Sequence, residues 1–202
     1  MSFARRQRAA LADLLEELGP FAPTACAGWK TQDLAAHLYI REHRPSALPG
    51  IGSARFAGRT ARIQIEALHE LGFPALVEAI RTPAGLMRPL DRLVNASEFF
   101  LHHEDVLRAN DRSQTLSDAE QDELWRVAQV LGRRVQLKTK GHVRLVRTDT
   151  GSVAQLGKGP RPLTVAGLPS ELLLSLSGRD GDVALTGEPA VVDAWRSAVS
   201  PL

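Results

Sequence analysis

The sequence predicts an α-helical bundle over residues 1–137 followed by a small α+β domain over 138–202. Three observations carry this prediction. Up to about residue 137, long segments place apolar side chains at helical spacing. Near Lys138-Thr139-Lys140-Gly141 the period changes from helical to alternating. Beyond that point the elements follow in the order βββαβα, which suggests a small α+β domain.

The elements follow in chain order. Residues 2–18 read as an amphipathic helix with Leu11, Leu14, Leu15 and Leu18 on one side, stopped by Gly19-Pro20. A loop through Pro23 and Gly28 leads to a second helix from Thr31, a plausible N-cap, to His43. Pro45, Pro49, Gly50 and Gly52 make a long connection. A third helix covers 54–71, and a short one opens at Pro74, since proline suits a first helical position. After a loop with Pro83, Gly85 and Pro89, a fourth long helix spans 90–109. Ser117-Asp118-Ala119-Glu120 is a capping-box pattern opening a fifth helix to about Leu137. In the C-terminal part, strands are expected at 142–147, 152–156, 163–166 and 183–187. Helices are expected at 169–177, with Gly178 as its cap, and from Pro189 to about Ala198.

Bulk composition narrows the function classes. The 202 residues are 44% apolar and 24% charged, ordinary for a folded soluble protein. A net charge of +2 is a small imbalance, so no nucleic-acid-binding surface is expected. Arg greatly outnumbers Lys, a sign of high-GC coding bias. Cys26 is the only cysteine, which excludes an internal disulfide and a Cys-rich zinc site, and fits a reducing, cytoplasmic location. The stretch after the basic N-terminus contains Asp13, Glu16 and Glu17, so it is no signal-peptide core, and no window is apolar enough for a membrane span.

Chemistry concentrates in Ser97-Glu98-Phe99-Phe100-Leu101-His102-His103-Glu104-Asp105-Val106. Glu98 and His102 leave one helix face a turn apart and form half of a first-row metal site. His37, on the apolar side of the second helix, offers a third ligand. The ordinary alternatives are a hydrogen-bonded core histidine at 37 and a buried ion pair between Glu98 and an arginine. His103 points about a quarter turn away from His102 and is not expected at the same ion. Asp105 shares the face of His102 and would either hold a ligand or make an interhelix salt bridge. His43, His69, His142 and Cys26 lack a partner pattern and read as structural or solvated. Phosphate loops, nucleophile elbows and His-Glu-x-x-His zinc motifs are absent.

The segment Trp29-Lys30-Thr31-Gln32-Asp33-Leu34-Ala35-Ala36-His37-Leu38 resembles the Trp-x-x-x-Asp-Leu-x-x-His-Leu motif of DinB-like metal-binding helical bundles. Glu98 to Val106 resembles the Glu-x-x-x-His-x-x-Asp motif of one branch, the mycothiol-dependent maleylpyruvate isomerase family of actinobacteria. The Leu172–Gly178 helix, Arg179 and the strand ending at Thr186-Gly187-Glu188-Pro189 resemble that family's sterol-carrier-like C-terminal domain. The resemblance implies a divalent metal, usually zinc, on His37, Glu98 and His102. Other bundles of the superfamily use three histidines, and Glu98 at the middle position favours the thiol-dependent branch. The short C-terminal domain and the stretch Ile40-Arg41-Glu42-His43-Arg44-Pro45 resemble an actinobacterial subfamily other than the true maleylpyruvate isomerases.

Two functions are therefore expected from different classes. The first is a metal-dependent thiol enzyme, an S-transferase or isomerase using mycothiol on a small electrophilic substrate. In that case Arg41 and Arg179 are candidates to hold acidic groups of thiol or substrate. The second is a non-catalytic metal or small-ligand binding protein, a sensor or carrier. A monomer or homodimer is expected, with neither nucleic acid nor membrane as partner.

Overall fold

A computed structural model describes residues 2–47, 57–82, 94–160 and 162–199. The expected helix starts at residues 54 and 90 and the loops around Pro49 and Pro89 lie outside these residues. The chain is mostly helical with one small sheet, and it divides into two compact units, Met1–Thr115 and Leu116–Leu202.

The first unit contains α1 (Phe3–Leu18), α2 (Thr31–His43), α3 (Ala57–Arg81) and α4 (Val94–Ala109), with one 3₁₀ turn at Pro45–Ala47. Helix α1 buries Phe3, Leu11, Leu14 and Leu15 and ends at Gly19, whose φ of 76° only glycine adopts cheaply. The N-cap of α2 lies one residue before the expected one. Lys30 occupies the N-cap, its N–H donating to the Asp33 carboxylate at 2.9 Å. Thr31 is the first helical residue, and its hydroxyl donates to the Gly19 carbonyl. The third helix and the short helix after it run on as one element, α3, kinked at Gly72 (φ 73°, ψ 161°), with Pro74 placed in the turn after the kink.

α2 packs mainly on α3 and α4 mainly on α1, while α1 also touches α3. A shared core joins them, including Leu11, Leu15, Leu34, Leu38, Leu76, Ile80, Phe99 and Val106. One buried arginine touches all four helices. Arg8 of α1 makes a bidentate pair with Glu42 of α2 (2.9 and 2.5 Å), donates to the Ile80 carbonyl of α3 at 2.8 Å and lies 4.0 Å over the Phe99 ring of α4. A planar guanidinium can serve several partners at once in this way.

The second unit contains α5 (Asp118–Thr139), β1 (His142–Arg147), β2 (Val153–Leu156), β3 (Pro162–Gly167), α6 (Pro169–Leu176), β4 (Ala184–Thr186) and α7 (Pro189–Val199). The strand order is β2-β1-β3-β4. β1 and β3 are parallel; the two outer pairs are antiparallel. The capping pattern at Ser117 is real: its N–H and hydroxyl both lie 2.8 Å from Glu120 Oε2. The expectation assigned this helix to the bundle, whereas its contacts group it with the sheet. Ala128 and Val135 share a core with Val143, Leu145, Leu156, Leu163, Val165 and Trp195. A Cβ at Gly132 would stand 2.8 Å from a Leu156 methyl, so glycine lets α5 approach the strands closely. A helical period alone does not say which sheet or bundle an apolar stripe will cover. Among the described residues, no helix is long and apolar enough to cross a membrane.

Candidate metal centre

Helix α2 carries His37 and Arg41 one turn apart, and α4 carries Glu98, His102 and Asp105. The fold brings His37, Arg41 and His102 to one carboxylate oxygen of Glu98. Glu98 Oε1 lies 3.6 Å from His37 Nε2, 3.4 Å from His102 Nε2 and 3.4 Å from Arg41 Nε. One donor atom each from His37, Glu98 and His102 falls within 4.8 Å of the other two. The imidazoles are buried, and Glu98 is the most open of the three at 25% side-chain exposure. The His37 ring also packs against Trp29, centroids 5.0 Å apart, and against His102 at 5.4 Å.

The second nitrogen of His102 is held from behind. Its Nδ1 lies 2.9 Å from Asp105 Oδ2, and the Cys26 thiol donates to the same oxygen at 3.3 Å. Cys26 Sγ is 3.9 Å from His102 Nδ1. The loop that brings Cys26 here is tied to α4 and to the residue just after it by two further bonds. Ala25 N–H donates to the Asp105 carbonyl at 2.9 Å, and the Asn110 amide donates to the Pro23 carbonyl at 3.0 Å. Sequence reasoning read Cys26 as an ordinary residue. Nothing in its neighbours announces the contact, which arises only when the loop folds over α4. Cys26, His102 and Asp105 also form a second close group of ligand-type atoms, sharing His102 with the first.

Electrostatics polarise the cluster. Burial opposes the charge on His102, but Asp105, Cys26 and Glu98 outweigh it and hold its pKa well above the ordinary histidine value. Burial also opposes ionisation of Glu98. Hydrogen bonding from His102 and His37 and the nearby Arg41 charge prevail, so its pKa falls well below the carboxylate range. For His37 burial wins, and its pKa is lowered despite the Glu98 carboxylate. Without a cation the group therefore carries an ionised Glu98 between a charged His102 and a neutral His37.

His103, His43 and His142 bond or stack with partners of their own. His103 points to α1, with Nδ1 2.8 Å from the Gln7 side-chain oxygen. His43 stacks on Tyr39 at 4.5 Å, and His142 bonds to the Gly159 carbonyl and Gln155. Arg179 belongs to the second unit, where it lines a cavity.

The donor set fits a divalent first-row cation. Ligand atoms about 2.0–2.2 Å from a tetrahedral ion stand about 3.3–3.6 Å apart. The two Glu98–histidine separations, 3.4 and 3.6 Å, are of that size and longer than the usual hydrogen bond.

Fold and site together define a class: a helical unit with a His-Glu-His group, followed by a small α+β unit. The fold recurs in a solved structure. The chain is similar to the crystal structure of a mycothiol-dependent maleylpyruvate isomerase, with a TM-score of 0.51, 15% identity, and 92% of this chain and 90% of that one covered. A mutant of that isomerase gives a TM-score of 0.49 and 14% identity. At this identity the likeness shows a shared fold. No family model and no curated protein matches the chain.

Proposed function

We propose that this protein is a metal-dependent thiol enzyme of the DinB-like bundle type, an S-transferase or isomerase that uses mycothiol on a small electrophilic substrate. The observation that carries the reading is the spacing around Glu98 Oε1, 3.4 and 3.6 Å from two imidazole nitrogens on different helices. The shared fold with a mycothiol-dependent isomerase supports the choice of thiol.

His37, Glu98 and His102 would hold the cation, zinc by preference, leaving an open coordination position as catalytic sites do. Such an ion supplies a lowered pKa to a bound thiol and hence a nucleophile at neutral pH. The chain's own residues do the rest. Asp105 accepts from His102 Nδ1 and so aims Nε2 at the site. Arg41, 3.4 Å from Glu98, provides fixed positive charge for an acidic group of thiol or substrate once the carboxylate turns to the cation. Trp29 packs against the His37 ring, centroids 5.0 Å apart, and helps fix its orientation.

The test combines elemental analysis of the purified protein with incubation of the metal-loaded form with mycothiol and a panel of electrophiles, maleylpyruvate included. A stoichiometric metal with thiol consumption or isomerisation is expected. No turnover would sink the enzymatic reading. A second reading rests on Arg41, which already gives Glu98 a cationic partner. A purified protein without metal, unable to take up zinc, would favour that charge-paired binding protein instead.

A further inference from the structure

Charge is segregated along the second unit. Between Glu123 and Glu171 the sequence holds nine lysines and arginines and one acid, Asp149, although the whole chain carries only +2. Asp149 is taken by Arg147 at 2.7 Å. The C-terminal half of α5 turns much of that charge outward. Its inner side, with Ala128, Gly132 and Val135, is buried against the sheet. Its outer side carries Arg126, Val130, Arg133 and Leu137 at helical spacing, with Arg134 beside them. All five are exposed, Val130 to 60% and Leu137 to 70%.

Lysines extend this face past the end of the helix. The Gln136 amide donates to the Gly141 carbonyl at 3.1 Å, and His142 Nδ1 lies 2.9 Å from the Gly159 carbonyl oxygen. The loop between β2 and β3 thus packs beside the end of α5, which places Lys138, Lys140 and Lys158, all exposed, at one corner of the unit. Among the described residues none of Arg126, Arg133, Arg134, Lys138, Lys140 and Lys158 has an acidic partner. By contrast Arg44, Arg81 and Arg112 of the first unit are each paired with a glutamate. The helix dipole favours basic residues in the last turn, but its effect fades within that turn, and Arg126 and Arg133 lie further in. Arg134 and Lys138, four residues apart, repel each other.

We infer that this face docks the protein on a membrane surface rich in anionic phospholipid. The arginines and lysines meet the phosphate groups, while Val130 and Leu137 enter the boundary between headgroups and acyl chains. The two aliphatic side chains decide the occupant. A nucleic-acid backbone would take the same charges but gives Val130 and Leu137 nothing to pack on, and none of the residues of this face is an aromatic on which a base could stack. A second copy presenting the same face would be repelled by it. Docking of this kind needs no spanning helix. It rests on the second unit alone and is independent of the His37–Glu98–His102 group.

The test is sedimentation of the full chain with vesicles of phosphatidylcholine alone and of phosphatidylcholine with about a third phosphatidylserine. Binding is expected to the anionic vesicles only, and it should weaken as salt rises. Arg133→Gln together with Arg134→Gln should lower the affinity by roughly tenfold or more, since each removes a charge near the lipid surface. Val130→Ser together with Leu137→Ser should lower it severalfold and leave the salt dependence in place. All four positions are exposed, so both variants should fold as the parent does, checked by circular dichroism. A folded parent that ignores the anionic vesicles would overturn the inference, and so would an affinity unchanged by either pair of substitutions. Tighter binding to a short DNA duplex, indifferent to the aliphatic pair, would assign the face to nucleic acid instead. Self-association of the parent that the arginine pair abolishes would assign it to a second copy, and either result overturns the membrane reading.

Discussion

Replacing Asp105 by alanine separates a held imidazole from a free one. Asp105 is 2% exposed, touches His102 Nδ1 at 2.9 Å and receives the Cys26 thiol at 3.3 Å. Asp105→Ala removes the acceptor that fixes the ring of His102 and leaves its Nδ1 facing a buried void. Loss of such a partner behind a metal-bound histidine lowers affinity about 10–100-fold. That corresponds to about 1.4–2.8 kcal/mol of binding free energy. Leaving a buried donor unmet costs about 1–3 kcal/mol of fold stability as well. For a unit of this size that amounts to a fall in Tm of several degrees. Asp105→Asn keeps an acceptor of the same shape and should recover part of both losses. Zinc affinity by competition with a calibrated chelator, together with thermal melts of the apo proteins, reads the two quantities separately. If Asp105→Ala binds zinc within twofold of the parent while melting normally, His102 is not a ligand oriented by Asp105, and the assignment of this helix face is wrong.

Further outcomes are expected from the same geometry. Glu98→Gln should weaken zinc binding by roughly tenfold or more, whereas His103→Ala should leave occupancy intact, because His103 bonds to Gln7 on the other side of α4; chelator competition on both variants checks this. Removing metal from the loaded protein should lower its melting temperature by several degrees and leave the helices folded at room temperature, read by circular dichroism. Glu42→Ala strands the buried Arg8 charge and should cost about 3–5 kcal/mol in urea unfolding, far more than an exposed pair such as Arg44–Glu70. Arg147 holds the Asp149 carboxyl below its usual pKa. A depressed carboxylate stabilises the fold fully above its unfolded pKa and loses that contribution as pH falls through the folded one. The stability gap between the parent and Asp149→Asn should therefore stay level above about pH 5 and close below about pH 4, measured by unfolding across that range.

Much of this was legible in the residues, and what was not has physical causes. Helix limits followed from Gly19, from the Ser117–Glu120 pattern and from prolines at 169 and 189, because caps and punctuation act locally. The i, i+4 spacing of Glu98 and His102 put both on one face in advance, and the position of His37 among Leu34 and Leu38 marked it as inward. The Thr31 cap was misplaced by one residue because the Asp33 carboxylate takes the Lys30 N–H while the Thr31 hydroxyl turns away to the Gly19 carbonyl. The grouping of α5 depended on which apolar surface lay beside it, a long-range choice to which Gly132 was the only local hint. Cys26 and Arg8 were missed for the same reason. Their partners, Asp105 and Glu42, are 79 and 34 residues away, and no local pattern links them.

The rotation of α4 about its own axis decides what the site can do, and it is set from the side opposite the ligands. His103 donates to Gln7, Gln7 to Gln114, and Gln114 to Glu104, which also accepts from Arg108 at 2.7 Å. This chain of bonds fixes the α1-facing side of α4. Arg8 adds a contact over Phe99 on the same helix while gripping α2 through Glu42. With α4 locked against α1 and α2 tied to the same arginine, Glu98, His102 and His37 are brought together by contacts that involve none of them. Sites held on rigid helices in this way lose little freedom when a ligand arrives. A cation at Glu98 would then tighten a frame that already stands, which is why its removal should shift the melting temperature while the helices survive.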